Sequence, residues 1–277
     1  MQRSTQIVLI TGCSSGIGYS SAIELKNRGH RVIASARKPA DVVKLEELGF
    51  EAVQLDLSDS TSIQGAVRQV LALTDGKLDA LFNNGAFGQP GAVEDLSREV
   101  LRQQFETNLF GTHELTNLII PVMRAQGHGR IIYNSSVLGL VAMRYRGAYN
   151  ATKFALEGLV DTLRLELYGT NIQISLIEPG PILTHFRQNS LALFYENIDP
   201  EHSFHKDIYQ SMLERLEKEG AAVPFTLPPE AVTKKVIHAL EADKPRFRYY
   251  VTFPTYLFGY LKRILPTGWM DYLARKV

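Results

Sequence analysis

The sequence predicts a doubly wound α/β architecture, a parallel sheet with helices on both faces. Three observations carry that prediction. Short β-branched or aliphatic runs alternate with longer stretches of helical period. Runs such as Ile7-Val8-Leu9-Ile10 are apolar throughout, as strands covered on both faces are. No long Gly/Ser or Pro linker interrupts the first 180 residues, and 277 residues suit one large domain able to bury a substantial core.

The elements follow in order. The first strand spans 7–11 on the apolar run just quoted, and a glycine-containing turn leads into a helix over 16–28. A second strand covers 31–36, a helix 41–48, a third strand 51–55 and a helix 60–73. The fourth strand is 80–83, followed by a long helix over 97–124. The fifth strand, 129–135, precedes a helix over 149–168, and the sixth strand is 173–177. Residues 183–220 mix aromatic, polar and charged side chains with no clean strand, so they read as helical excursions over the sheet edge. A helix over 229–240 then returns the chain to the sheet, a seventh strand fits at 246–252, and residues 253–277 form a helical extension.

Composition narrows the function classes. Hydrophobic residues make up 45% and charged residues 21%, which excludes disordered and collagen-like chains. Thirty basic against 29 acidic residues give a formal charge of +1, which argues against a surface built for nucleic acid. Cys13 is the single cysteine, so no intrachain disulfide forms and a cytoplasmic setting is the default expectation. Near the start, Arg3 is followed only by the short apolar run at 7–10, too short for a signal-peptide core. No apolar segment approaches the roughly 18 residues of a spanning helix.

The chemistry-bearing motifs come in sequence. Thr11-Gly12-Cys13-Ser14-Ser15-Gly16-Ile17-Gly18 sits between the first strand and the first helix. Glycines there permit a sharp turn and the close approach of a pyrophosphate to the helix N-terminus, whose free N–H groups and dipole favour an anion. Within a βαβ unit this is a dinucleotide signature, and Cys13 fills space. The second strand ends Ala34-Ser35-Ala36-Arg37-Lys38, with no carboxylate for an adenine ribose. Arg37 and Lys38 suit a 2′-phosphate instead, so NADP(H) is expected over NAD(H). Asp56, next to Leu57 after the third strand, either accepts from the adenine amino group or caps the next turn.

Tyr149 and Lys153, at i and i+4, lie on one face of a helix. A free tyrosine has a pKa of about 10, so an acid/base role needs a neighbouring cation, which Lys153 supplies. Ser136 lies thirteen residues upstream at a strand end and can hydrogen-bond a carbonyl or alcohol oxygen, with Ser135 a competing candidate.

In company, these motifs resemble the short-chain dehydrogenase/reductase family across residues 7–252. The glycine turn, Asn83-Asn84-Gly85-Ala86, Asn108, Ser136, Tyr149 with Lys153, and Pro179-Gly180 occur in the family's order. The resemblance implies a Rossmann fold with a seven-stranded sheet ordered 3-2-1-4-5-6-7. It implies a tetrad in which Tyr149 exchanges the proton, Ser136 steadies the substrate oxygen, Lys153 lowers the tyrosine pKa and holds the nicotinamide ribose, and Asn108 supports a water relay to Lys153. The family's spacing selects Ser136 over Ser135. It further implies cofactor contacts from Gly12, Ser14, Ser15, Gly16, Ile17, Gly18, Asp56, Leu57, Asn83 and Gly85. Pro179, Gly180, Ile182 and Thr184 are similar to the family's nicotinamide loop.

One departure stands out: the family reads Asn-Asn-Ala-Gly where this chain has Asn83-Asn84-Gly85-Ala86. A left-handed backbone at Ala86 would be strained by about 1 kcal/mol or more.

Around Lys153-Phe154-Ala155-Leu156-Glu157-Gly158 the chain is similar to the 17β-hydroxysteroid and retinol dehydrogenase branch, and its C-terminal part to bacterial NADP-dependent aldehyde reductases. The implied reaction is NADPH-dependent reduction of a lipophilic aldehyde or ketone. The other function class is a non-catalytic NADP(H) sensor or scaffold on the same fold, since function resides in the site. Phe186, Leu191, Leu193, Phe194 and Tyr195 fall where the family has a mobile substrate lid, 183–220, and equally suit ordinary packing. His185 reads as structural, and His202 with His205 lack the carboxylate or cysteine company of a metal site. The tail over 251–265, with Lys262, Arg263, Arg275 and Lys276, either covers the substrate pocket, the preferred reading, or touches a membrane surface. Relatives pair through the helices expected at 97–124 and 149–168, so a homodimer or homotetramer is implied.

Overall fold

The computed structural model describes residues 5–276, so Arg3 and the last residue of the C-terminal extension lie outside the described residues. Its strands are β1 (Ile7–Ile10), β2 (Arg31–Ala36), β3 (Glu51–Gln54), β4 (Ala80–Asn83), β5 (Gly129–Asn134), β6 (Ile172–Glu178) and β7 (Arg248–Tyr250). They form one parallel sheet in the order β3-β2-β1-β4-β5-β6-β7. β1 lies inside it, with Val8 opposite Val32 on one side and Ala80 on the other. The chain reverses direction across the sheet between β1 and β4, which opens a crevice at the carboxyl ends of those strands.

Side chains alternate across each strand, so every strand feeds two cores. Leu9, Ile33, Leu81 and Ile131 pack with Ile63, Leu115 and Leu156 from α3 (Ser60–Leu73), α5 (Thr112–Gln126) and α6 (Gly147–Glu166). Val8, Ile10, Val32 and Phe82 pack on the opposite face with Leu25, Leu45 and Val236 from α1 (Gly16–Asn27), α2 (Pro39–Glu47) and α9 (Glu230–Glu241). The continuous apolar run of β1 is thus needed by both layers.

Local chemistry sets several boundaries. The Asp59 side chain accepts from the Thr61 N–H at 2.8 Å and starts α3, while Pro39 opens α2. Gly127, at φ +77°, ends α5 in the left-handed region. β7 is only three residues long, because the Tyr249 hydroxyl takes the Arg246 N–H at 2.8 Å and Pro254 opens a new helix at Phe253.

The long helix expected over 97–124 is not continuous. α4 (Arg98–Phe105) passes into a wider π-helical turn, Glu106–Gly111, before α5 begins. A Cβ at Gly111 would lie 1.7 Å from the Leu57 carbonyl oxygen, so the widened turn lets the helix press its backbone against the loop after β3.

After β6 the chain forms α7 (Phe186–Asn197) and α8 (Lys206–Glu217), joined by a small core of Phe194, Ile198 and Tyr209. α10 (Phe253–Ile264) and α11 (Thr267–Ala274) follow β7. Phe258 and Met270 from this pair pack beside Val137, Leu138 and Val141 in the loop after β5.

Candidate active site

At the end of β1 the backbone folds back on itself. Gly12 and Gly16 have φ of +73° and +60°, and a Cβ at Gly18 would lie 2.2 Å from the Gly12 carbonyl oxygen. Only glycine closes that turn. Ser15 stands at the N-cap of α1 without a side-chain capping bond, so the first-turn N–H groups face the crevice free for an anion. Ser14 and Ile17 lie in the same turn. Cys13 is fully buried, donates to the Ile10 carbonyl at 3.2 Å, and burial pushes its thiol up to about 12. It is a packing residue.

The turn is held from β4. Thr11 Oγ1 accepts from the N–H groups of Asn84 and Gly85, both at 2.8 Å, and the Asn84 amide donates to the Thr11 carbonyl at 2.9 Å. A Cβ at Gly85 would come 3.1 Å from Leu57 Cδ1 and 3.3 Å from Thr11 Oγ1, a tight fit. Ala86 is not among the described residues with positive φ, so the strain expected there does not arise; the left-handed positions are Gly12 and Gly16 instead. The Asn83 side chain points into the core and donates to Thr116 Oγ1 at 3.0 Å, which leaves its backbone to border the crevice. Adjacent strand residues face opposite ways, so Asn84 presents its amide to the glycine turn.

Arg37 and Lys38 are exposed at the end of β2, and neither has an ion-pair partner among the described residues. Asp56 accepts from the Ser58 N–H at 2.9 Å and hydroxyl at 2.7 Å, which makes it the cap of the turn before α3. The loop after β6 crosses the glycine turn: a Cβ at Gly16 would sit 3.1 Å from Thr184 Cγ2. The Pro179 carbonyl accepts from the Val137 N–H at 2.8 Å, Gly180 packs against Thr252, and Ile182 bridges to Leu227. These residues fit a dinucleotide: an uncapped helix N-terminus, a cradle that any Cβ would fill, and unpaired cations at the next strand end. A cavity of about 810 Å³ reaches Gly16 and Thr184 from the α9 side, and Tyr149 is not in its wall.

The reactive cluster lies where β5 meets α6. Ser135 and Ser136 diverge: the Ser135 hydroxyl donates to Glu157, whereas the Ser136 hydroxyl lies beside Tyr149, whose ionisation it favours, and accepts from the Leu138 N–H at 3.1 Å. Burial pushes Tyr149 up to about 12, with Ser136 and the Arg146 guanidinium pulling the other way. Arg146, three residues before Tyr149, was not singled out by the sequence; a cation one turn upstream on the same helix is the signal that could have found it. Lys153 is 2% exposed, its Nζ stands 5.5 Å from the Tyr149 ring centroid, and burial pulls it down to about 8 against the opposing charge of Glu157.

Hydrogen bonds tie this cluster to the glycine turn. Lys153 Nζ donates to the Asn134 carbonyl at 2.7 Å, and the Asn134 amide donates to Asn84 Oδ1 at 3.0 Å. Asn84 in turn holds Thr11. Asn108, in the π-helical turn, donates to the Phe87 carbonyl at 2.8 Å and to Thr152 Oγ1 at 3.3 Å, and it accepts from the Phe87 N–H at 3.1 Å. Its amide therefore fixes the loop beyond Ala86 and the residue just before Lys153.

Around Tyr149 the walls are apolar. Val137, Leu138, Val141, Met143, Phe258 and Met270 form one surface with its ring. The Phe186 ring, at the start of α7, meets Tyr149 edge-on at 5.4 Å. The lid residues therefore divide: Phe186 borders the site, Phe194 is core, and Tyr195 is exposed. Arg146, Arg187 and Arg215 feel one another's charge on this side, and none has a carboxylate partner among the described residues. His202 pairs with Asp199, and His205 pairs with Glu94 and Tyr145.

A family model described as short chain dehydrogenase matches residues 6–192. The chain is 45% identical over 272 residues to the uncharacterized oxidoreductase YbbO of Escherichia coli (strain K12), covering 98% of this chain and 93% of that one. It is 34% identical to 17-beta-hydroxysteroid dehydrogenase type 1 of Homo sapiens, covering 89% of this chain and 77% of that one. Among solved structures, a short-chain dehydrogenase from Streptomyces avermitilis superposes with a TM-score of 0.76 at 26% identity, covering 100% of this chain and 96% of that one.

Proposed function

The chain belongs to the short-chain dehydrogenase family, an oxidoreductase family, and from that premise we propose that it is an NADPH-dependent reductase of lipophilic aldehydes or ketones. The observation that carries the reading is the placement of the Ser136 hydroxyl beside Tyr149, against the wall of Val137, Leu138, Val141, Phe258 and Met270. Two hydroxyl groups that converge beside an apolar surface suit one carbonyl oxygen on a lipophilic body.

Gly12, Ser14, Ser15, Gly16, Ile17 and Gly18 would hold the pyrophosphate, and Arg37 with Lys38 the 2′-phosphate that distinguishes NADPH. Lys153 would hold the nicotinamide ribose, with Pro179, Gly180, Ile182 and Thr184 beside the ring. When bound, the cofactor supplies a hydride to the carbonyl carbon. Ser136 and Tyr149 orient the substrate oxygen and stabilise its developing charge. Tyr149, which burial pushes up to about 12, serves as the acid that protonates the oxygen as the hydride adds to the carbonyl carbon. The charges of Lys153 and Arg146 then stabilise the phenolate left behind. Arg146, Arg187 and Arg215 favour a neutral or anionic substrate over one that carries an ammonium group.

The test is NADPH oxidation with medium-chain aldehydes, retinal and ketosteroids, with Tyr149→Phe alongside. Turnover should fall about 10²- to 10⁴-fold in the variant while NADPH still binds. Near-native turnover in Tyr149→Phe would remove that residue from the mechanism. Tight NADPH binding without turnover of any carbonyl would favour a sensor.

A further inference from the structure

The two C-terminal helices carry their apolar side chains outward. In α10, Phe253, Tyr256, Leu257, Tyr260 and Ile264 are all exposed, and they fall at i, i+3, i+4, i+7 and i+11, one stripe of a helix. Ile264 is 75% exposed, and Trp269 on α11 is 63% exposed. The opposite side of α10 is occupied. Thr255 and Gly259 are buried, a Cβ at Gly259 would lie 2.7 Å from the Tyr250 ring, and Phe258 packs on the loop after β5. The chain covers the outward stripe only at its edges, where Phe253 meets Phe225 at 4.9 Å and Tyr250 touches Tyr256 and Tyr260 at 5.4 and 6.1 Å, and leaves the rest as a second apolar face.

Its charges are one-sided. Residues 253–276 contain Lys262, Arg263, Arg275 and Lys276 against one acid, Asp271. Arg263, Arg275 and Lys276 are exposed at the flank and end of the pair, whereas Lys262, about 180° around α10 from Phe253, leans over the Phe154 ring at 4.4 Å on the side that faces the rest of the chain. Among the described residues no helix is long and apolar enough to cross a membrane. A helix pair with Tyr, Trp, Phe and Leu outward, Arg263 at the flank of the α10 stripe and Arg275 and Lys276 at the end of α11 matches the chemistry of the lipid headgroup boundary, where aromatic rings lie at the interface and cations meet anionic phosphates.

We propose that α10 and α11 dock the protein on anionic lipid surfaces, with the exposed stripe in the headgroup region and Arg263, Arg275 and Lys276 on lipid phosphates. A two-fold contact between copies of the chain is the competing occupant. It is disfavoured because an isologous contact brings the same patch against itself, cations against cations. The inference is independent of the reductase reading. Docking would bring the bilayer next to Phe258 and Met270, which stand between the stripe and Tyr149.

Trp269 is the only tryptophan, so intrinsic fluorescence reports on this surface alone. The experiment titrates the whole protein with vesicles of phosphatidylglycerol and, separately, of phosphatidylcholine, and follows emission and flotation. Phosphatidylglycerol vesicles should shift the emission to the blue and float the protein, with affinity at least tenfold above phosphatidylcholine and falling with salt. Leu257→Glu combined with Ile264→Glu should abolish both signals, and Arg263→Glu combined with Lys276→Glu should weaken them at least tenfold. Unchanged circular dichroism and thermal midpoint in these surface variants would show that they fold. Absence of flotation and of a blue shift overturns the proposal. So does sedimentation in which the wild type is an oligomer that Leu257→Glu with Ile264→Glu dissociates while vesicles leave Trp269 unaffected.

Discussion

The two ends of the reactive crevice are built by different means. At the glycine turn, backbone meets backbone: Gly12, Gly16 and Gly18 leave no room for a Cβ, and Thr11 and Asn84 pin the loop with four hydrogen bonds of 3.3 Å or less. At the substrate end, rings meet rings: Phe186 against Tyr149, and Phe194 against Tyr209 at 5.0 Å. A backbone-built site tolerates almost no substitution yet does not depend on which apolar residues surround it. A ring-packed site accepts substitution and changes its shape with each one. The difference teaches why one end can serve a common cofactor while the other varies with substrate.

Deletions in the two packing regions give the largest test. Leu115→Ala, at a fully buried position under the sheet, should lower stability by about 2–5 kcal/mol in urea unfolding. Phe194→Ala empties a comparable volume in the separate α7–α8 core, so the loss should be local. Proteolysis between α7 and α8 should accelerate while the main unfolding midpoint stays near the wild-type value. A large fall in that midpoint would mean that the two regions unfold together.

Gly18→Ala comes next. The added methyl meets the Gly12 carbonyl, and the turn must open to admit it. NADPH affinity should fall about 100-fold, close to 2.8 kcal/mol, in calorimetric titration. Unaltered affinity would show that the turn is not the cradle.

Arg37→Asp should be milder, a change of about tenfold or more in the NADPH-to-NADH affinity ratio toward NADH. An unchanged ratio would detach Arg37 from the 2′-phosphate. The smallest effect is the pH profile. Lys153 is pulled down to about 8, so its charge is present below that pH and lost above it. The log of kcat/KM should bend downward near pH 8. Glu157 favours the charged lysine, so Glu157→Gln should move the bend to lower pH. A profile flat to pH 10 would leave Lys153 outside the acid–base chain.

Much of the cofactor end was readable from sequence because its rules are local. Glycine spacing names the turn, and the apolar runs name β1 and β4. What escaped depended on contacts distant in the chain. The π-helical turn exists because Gly111 meets Leu57, a neighbour that periodicity within 97–124 cannot reveal. Asn83 and Asn84 are neighbours in sequence, and only the strand's direction decides which side chain faces the glycine turn. Asp56 takes both Ser58 bonds on one carboxylate oxygen, as a cap of the turn before α3 does. Arg146 stood unremarked because the motif draws attention downstream of Tyr149, toward Lys153.

The π-helical turn has a consequence for how this helix can change its length. It holds one residue more than the regular hydrogen-bond ladder requires, and each residue rotates a helix by about 100°. Deleting a single residue within Glu106–Gly111 would restore an unbroken ladder from α4 to α5. The same deletion would swing every side chain before it around the axis and carry the Asn108 amide off Phe87 and Thr152. The helix could therefore heal such a deletion while the crevice lost the bracket between its floor and the segment that carries Lys153.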